Sequence, residues 1–205
     1  MRDGQTLSNC SPKSTGHLKP RKTILLMVEG KSEEVYFTRL SRLSDKYSIK
    51  TKISRDKGCL DIIRACSKEA DRIGLEEDDI KVVVFDLDVV DESELNEAVR
   101  LSREEDVILM TSNLSFEIWL LMHFESASRV YSQDDYENRL SRLLNQEYKK
   151  SSGIGTNVNP KSVHDAIMRG SSSLKEPDPI KCKNSPNTST LWSLVSDIMG
   201  DKERK

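Results

Sequence analysis

Ile-Leu-Leu-Met-Val-Glu-Gly-Lys-Ser-Glu, residues 24–33, is a short apolar run that stops at a carboxylate, and Val-Val-Val-Phe-Asp-Leu-Asp, residues 82–88, repeats the pattern. Glu29 ends the first run; Asp86 and Asp88 end the second. In a parallel sheet neighbouring strands end on the same edge, so carboxylates from two such strands converge on one patch. Such a patch repels itself unless a divalent cation lies in it, and the spacing therefore suggests Mg²⁺-dependent chemistry on phosphate. Taken singly, each motif has a plainer reading. Glu29 could simply cap a strand, and Asp86-x-Asp88, with Asp91 and Glu92 close by, could be a solvated acidic loop. Side chains at i and i+2 of an extended segment share a side, however, and together the two motifs favour a metal site.

Working outward, residues 22–28 read as a buried strand, followed by a helix with Ser32 as N-cap running to about Leu43. Residues 48–54 alternate in polarity as a strand nearer a sheet edge does. A helix with Leu60, Ile63, Ala70 and Ile73 on its apolar side ends at Gly74. Residues 80–86 form a second buried strand, 91–103 a helix, and 106–111 a third apolar strand. The order β-α-β-α-β-α-β predicts an α/β fold: a mostly parallel four-stranded sheet with helices on both faces. Ligands of such sheets bind at the carboxyl ends of strands, where Glu29, Asp86 and Asp88 fall. Beyond residue 112 the pattern turns helical: 113–124, Asp134 to Lys150, about 161–170 and about 187–199, with 151–160 a loop. The expected organisation is a flexible basic leader (1–22), an α/β core (23–125) and a helical extension of the same domain (126–205).

Composition narrows the function. The longest apolar runs are about five residues, against roughly 20 for a membrane span, and residues 1–22 carry five Lys/Arg and one Asp without a hydrophobic signal core. No membrane association and a cytoplasmic location are expected. Cys10, Cys59, Cys66 and Cys182 are scattered, without CxxC or zinc-finger spacing, and read as free thiols. The net charge of −2 hides a local balance of −10 over residues 76–106 and +3 over 126–205. Any nucleic-acid contact must therefore be local, since binding driven mainly by charge goes with a basic chain. Gly30-Lys31-Ser32 is not a P-loop, because Leu25 stands where that motif requires glycine.

Further polar residues are candidates in context. Gly30 permits a sharp turn and close approach of a ligand. Asn113 and Glu117 lie four apart and would share a helix face; the plainer readings are a cap and a buried salt bridge. His123 lies on another side, where a core histidine is the favoured reading, and Trp119 reads as core. Tyr148-Lys149-Lys150 places two lysines at a helix end. They suit either a phosphate near the metal or the helix dipole alone, and the sequence leaves both open.

The segments 28–37 (Val-Glu-Gly-Lys-Ser-Glu-Glu-Val-Tyr-Phe), 84–88 (Val-Phe-Asp-Leu-Asp) and 112–125 (Ser-Asn-Leu-Ser-Phe-Glu-Ile-Trp-Leu-Leu-Met-His-Phe-Glu) together resemble the RloB/AbiLii family. The resemblance covers roughly residues 23–200, and Tyr148-Lys149 and Asn187-Thr188 extend it. Its specific part is the run from Asn113 to Phe124; an isolated Glu-Gly or DxD is weak. The resemblance implies a TOPRIM-like (Rossmann-like) catalytic domain, with Glu29 as general acid/base and Asp86 and Asp88 binding Mg²⁺. It also implies association with restriction-modification and other phage-defence genes. The chain departs from the family pattern at Leu114 and Ser115, where Pro or Cys is common, and at Leu87, where many members have Arg.

The functional expectation is a Mg²⁺-dependent nuclease (Mn²⁺ as substitute) of anti-phage defence or abortive infection, cutting DNA or RNA, tRNA included. Glu29, Asp86 and Asp88 are its metal ligands and catalytic residues. Lys149 and His123 are weaker catalytic candidates; Lys31 is a further source of positive charge; Gly30, Glu33, Asn113 and Glu117 are supporting residues. The alternative is a non-catalytic regulatory or toxin subunit acting with an ATPase partner encoded nearby. Self-association is left open, and a small-nucleotide phosphohydrolase is a third, weaker reading.

Overall fold

A computed structural model describes residues 21–127 and 132–200. The expected leader therefore lies outside the described residues, apart from Arg21, whose guanidinium donates to the Ser44 carbonyl, and Lys22, which opens the first strand.

Strands β1 (Lys22–Val28), β2 (Tyr47–Ile53), β3 (Ile80–Asp86) and β4 (Ile108–Asn113) are parallel, and the sheet order is β2-β1-β3-β4-β5. The fold class expected from the alternation is the one observed. The fifth strand, β5 (Thr188–Ser189), was not expected: two residues pair antiparallel with Ser112 and Asn113. So short a segment has no periodicity to read, and the expected helix over 187–199 shrinks to α8 (Leu191–Met199).

The alternating strand residues serve two cores. Ile24, Leu26, Val28, Val82 and Val84 face one layer, built from α1 (Lys31–Leu40), α4 (Glu117–Met122), α5 (Gln133–Leu144), α6 (Pro160–Ser173) and α8. Leu25, Met27, Val83 and Phe85 face the other, built from α2 (Cys59–Ile73), α3 (Glu92–Glu104) and Cys182 of α7 (Pro179–Lys183). Burial on both faces explains why β1 and β3 are continuous apolar runs. Cys59, Cys66 and Cys182 are free and buried.

Local chemistry sets the element ends. Gly74 adopts φ 64° just past α2, a left-handed position that glycine fills without strain. Asp91 caps α3 by accepting from the Glu94 amide. Helix α5 starts at a Ser132/Asp135 capping box and stops at Asn145, whose φ is 52°, so it does not reach Lys150 as the sequence suggested. Ser32 is not the cap of α1: Gly30 holds that position without a side-chain bond, and the Ser32 hydroxyl is used elsewhere. The apolar run 113–124 divides, with Asn113 ending β4 and Glu117 opening α4; apolar composition alone does not separate a buried strand from a buried helix.

Candidate active site

From β1 the chain crosses to β2 on one side, and β3 lies on the other, so strand order reverses between β1 and β3. In doubly wound sheets a crevice opens outside the carboxyl ends of the strands at that reversal. Val28 pairs with Val84, which brings Glu29 and Asp86 to the mouth of this crevice. They are in contact: the Asp86 amide donates to Glu29 Oε2 at 3.1 Å.

Glu33 and Glu117 join them. Glu33 is 4 % exposed and Glu117 2 %. A Cβ on Gly30 would come within 3.1 Å of Glu33 Oε2, so the use of glycine here is the close approach of Glu33; the Gly30 backbone is extended, with φ −144°. Burial raises the Asp86 carboxyl well above the carboxylate range, and the charges of Glu33, Glu29, Glu117 and Asp88 push it further. Burial, then Glu117 and Glu29, raise Glu33 to about 7. Burial also raises Glu29, against the Asp86 amide and the Lys57 ammonium, which lower it.

Glu117 goes the other way. Burial raises it, but the polar contacts, the Gln133 hydrogen bond and the Lys150 charge first among them, together outweigh burial and hold it below its ordinary value. Glu117 Oε1 accepts from Ser32 Oγ (3.2 Å) and Tyr148 Oη (3.1 Å), and Oε2 accepts from Gln133 Nε2 (3.1 Å). Lys150 Nζ lies 3.8 Å from Glu117 and 3.7 Å from Glu137. Because α5 stops at Asn145, the chain turns back and brings Tyr148 and Lys150 onto the patch.

Asp88, by contrast, is exposed, and its Oδ1 accepts from the Val89 amide at 2.8 Å. It acts on Asp86 and Glu29 by charge alone. Among the described residues no three His, Cys, Asp or Glu side chains are placed to hold a metal ion as they stand. The donors nevertheless suit one. They are all carboxylate oxygens, the ligands of hard divalent cations, and Asp86 Oδ1 is buried with no hydrogen-bond partner.

Other sequence candidates lie apart from the patch. Asn113 does not share a helix face with Glu117. Its Nδ2 donates to the carbonyls of Cys182 (3.0 Å), Lys183 (2.9 Å) and Ser185 (3.2 Å), closing the end of α7. His123 is buried with its ring edge-on to Tyr36 and Trp119 and its Nδ1 3.3 Å from Ser162 Oγ. Burial and the Arg169 charge lower its pKa to about 3, keeping it neutral. Trp119 is fully buried, as read from the sequence. Lys149 pairs with Glu147, so the lysine beside the carboxylates is its neighbour Lys150. Lys31 pairs with Glu34. One cation near the DxD had no sequence signal: Lys183 of α7 donates to the carbonyl of buried Leu87 at 2.7 Å.

The fold and this patch define a doubly wound α/β protein with an acidic switch-point site. The family model for RloB-like protein matches residues 24–198, and the chain belongs to that family. No curated protein and no solved structure matches it significantly.

Proposed function

We propose that the chain is a metal-dependent nuclease with a TOPRIM-like catalytic domain, hydrolysing phosphodiester bonds of DNA or RNA in anti-phage defence. The observation that carries this reading is Asp86 Oδ1, buried and unpartnered, facing the charges of Glu33, Glu29, Glu117 and Asp88 at the strand reversal. An isolated apo protein gains nothing from such an arrangement, because buried carboxylates that repel one another destabilise it.

Asp86, with Glu29 and Asp88, would hold Mg²⁺ or Mn²⁺. When bound, such an ion polarises the scissile phosphate and lowers the pKa of an attacking water. Burial raises both the Glu29 and the Glu33 carboxyls, Glu33 to about 7, and a raised carboxyl is better suited to take and return a proton. Glu29, at the mouth of the crevice, is assigned the acid/base role. Glu117 stays ionised and orients its neighbours: it fixes Ser32, Tyr148 and Gln133 and holds Lys150 at the rim, where an ammonium offsets charge developing on a phosphate. The defence role rests on the resemblance to the RloB/AbiLii family.

The test is incubation of the chain with single-stranded and duplex DNA, RNA and tRNA in Mg²⁺ or Mn²⁺, beside Glu29→Gln and Asp86→Asn. Cleavage by the wild type and its loss in both variants is expected. Full activity in either variant overturns the assignment. Cleavage that appears only with a co-purified ATPase favours a partner-dependent subunit instead.

A further inference from the structure

A basic cleft adjoins the acidic patch on the β2 side. The Ser54 amide donates to the Val28 carbonyl at 2.8 Å, so the chain leaving β2 runs past the end of β1, beside Glu29. The Lys57 charge on this segment reaches Glu29. Between the segment and α2 lies a cleft of about 360 Å³ walled by Lys52, Arg55, Lys68 and Arg72. Met27, two residues before Glu29, contributes to its wall, so cleft and carboxylates share one strand.

The wall is built. Glu69 sits between Lys52 Nζ and Arg72 Nη2, 2.6 Å from each, and hydrogen bonds from Arg72 and then Lys52 hold its carboxyl down to about 2. With Asp56 the cleft has two acids against four bases. Arg55 and Lys68 are exposed and make no ion pair among the described residues. The turn beyond β3 is different, with Asp88, Asp91 and Glu92 exposed and acidic. A polyanion is repelled from that side and drawn to this one.

We propose that the cleft receives the phosphodiester backbone of the nucleic-acid strand presented to the switch-point carboxylates, with Arg55 and Lys68 each pairing with a phosphate. This rests on the nuclease reading and adds the path of the substrate to it. It also accounts for phosphate binding by a chain of net charge −2, because the contact is confined to one side of the crevice.

The experiment measures binding of fluorescently labelled single-stranded DNA, duplex DNA and single-stranded RNA by anisotropy in EDTA, over a series of salt concentrations. Each phosphate contact contributes about 0.7 to 0.9 to the slope of log K against log salt. In Arg55→Ala/Lys68→Ala the slope should fall by about 1.4 to 1.8, and affinity at low salt by at least about tenfold, for whichever nucleic acid the wild type binds. Both residues are exposed, so the melting temperature should be unchanged. An unchanged slope and affinity in a variant that still cleaves overturns the cleft assignment and leaves the nuclease reading standing. A wild type that neither binds nor cleaves overturns both.

Discussion

Glu33→Gln should make the metal-free protein more stable, and only above a defined pH. The Glu33 carboxyl is 4 % exposed and raised from an ordinary 4.5 to about 7 by burial and by the Glu117 and Glu29 charges. A group whose folded pKa exceeds its unfolded value stabilises fully below the unfolded pKa and loses that contribution as pH rises through the folded one. Each pKa unit corresponds to about 1.36 kcal/mol, so the loss amounts to about 3 kcal/mol once pH exceeds about 7. Glutamine has similar shape and does not ionise, which removes this cost. The variant should match the wild type near pH 4.5, gain steadily up to pH 7, and level off about 3 kcal/mol more stable. For a chain of this size that is roughly 6 to 12 °C in melting temperature. The assay is thermal melting against pH in EDTA, repeated with Mg²⁺. A bound cation offsets the carboxylate repulsion, so Mg²⁺ should raise the wild type more than the variant and shrink the difference. Parallel pH profiles, or a gain that is just as large at pH 4.5, would refute the coupling of Glu33 to the patch.

The other expectations concern the supports of the site. Glu117→Ala removes the acceptor shared by Ser32, Tyr148 and Gln133, leaving the two hydroxyls to each other and Gln133 to Glu137, and should cost about 2 to 4 kcal/mol in urea denaturation at neutral pH; because its folded pKa is depressed, the cost should fade as pH falls from the ordinary 4.5 through the folded value, and a cost independent of pH would contradict the charge assignment. Gly170→Ala adds a Cβ that would meet Trp192 Cβ at 2.7 Å; overpacking of about 1 to 3 kcal/mol should outweigh the gain of about 0.5 to 1 kcal/mol from replacing a helical glycine, and a stabilised variant would refute the close α6–α8 contact. Lys183→Ala removes the donor to the Leu87 carbonyl and should speed amide exchange over residues 86–90 while lowering global stability by about 1 kcal/mol; unchanged exchange there would sever α7 from the DxD turn. Titration with Mg²⁺ at pH 7 in buffers of different ionisation heats should show proton release, since a cation beside Glu33, whose carboxyl is raised to about 7, favours its ionised form; a heat independent of buffer would contradict it.

The sheet was legible because β1, β3 and β4 are buried on both faces, which leaves continuous apolar runs that end in polar residues. What stayed hidden has physical reasons. Strand β5 is two residues held by β4, a tertiary effect with no local pattern. Tyr148 falls at helical spacing from Leu144, yet Asn145 takes a left-handed conformation and ends α5. That one turn decides which lysine faces Glu117, and composition cannot distinguish Lys149 from Lys150. Glu33 lies four residues beyond Glu29, but its burial beside Glu29, Asp86 and Glu117 is set by the tertiary structure and not by its own segment.

The two kinds of carboxylate in the crevice show how the fold divides the work. Asp86 and Glu33 have burial and like charges but few donors, so both carboxyls are raised, Glu33 to about 7. Glu117, equally buried, has two hydroxyls, an amide and an ammonium, and stays ionised. Groups whose surroundings push their pKa values apart are the usual basis of divided acid and base roles. The donors that keep Glu117 charged come from α1, α5 and the turn after α5, elements that also pack the core on that face of the sheet. The raised pKa of Asp86 arises first from burial and then from the carboxylates that the strand reversal gathers around it. Stability is thus invested around Glu117 and withheld at Asp86, the arrangement that the proposed cation site would require.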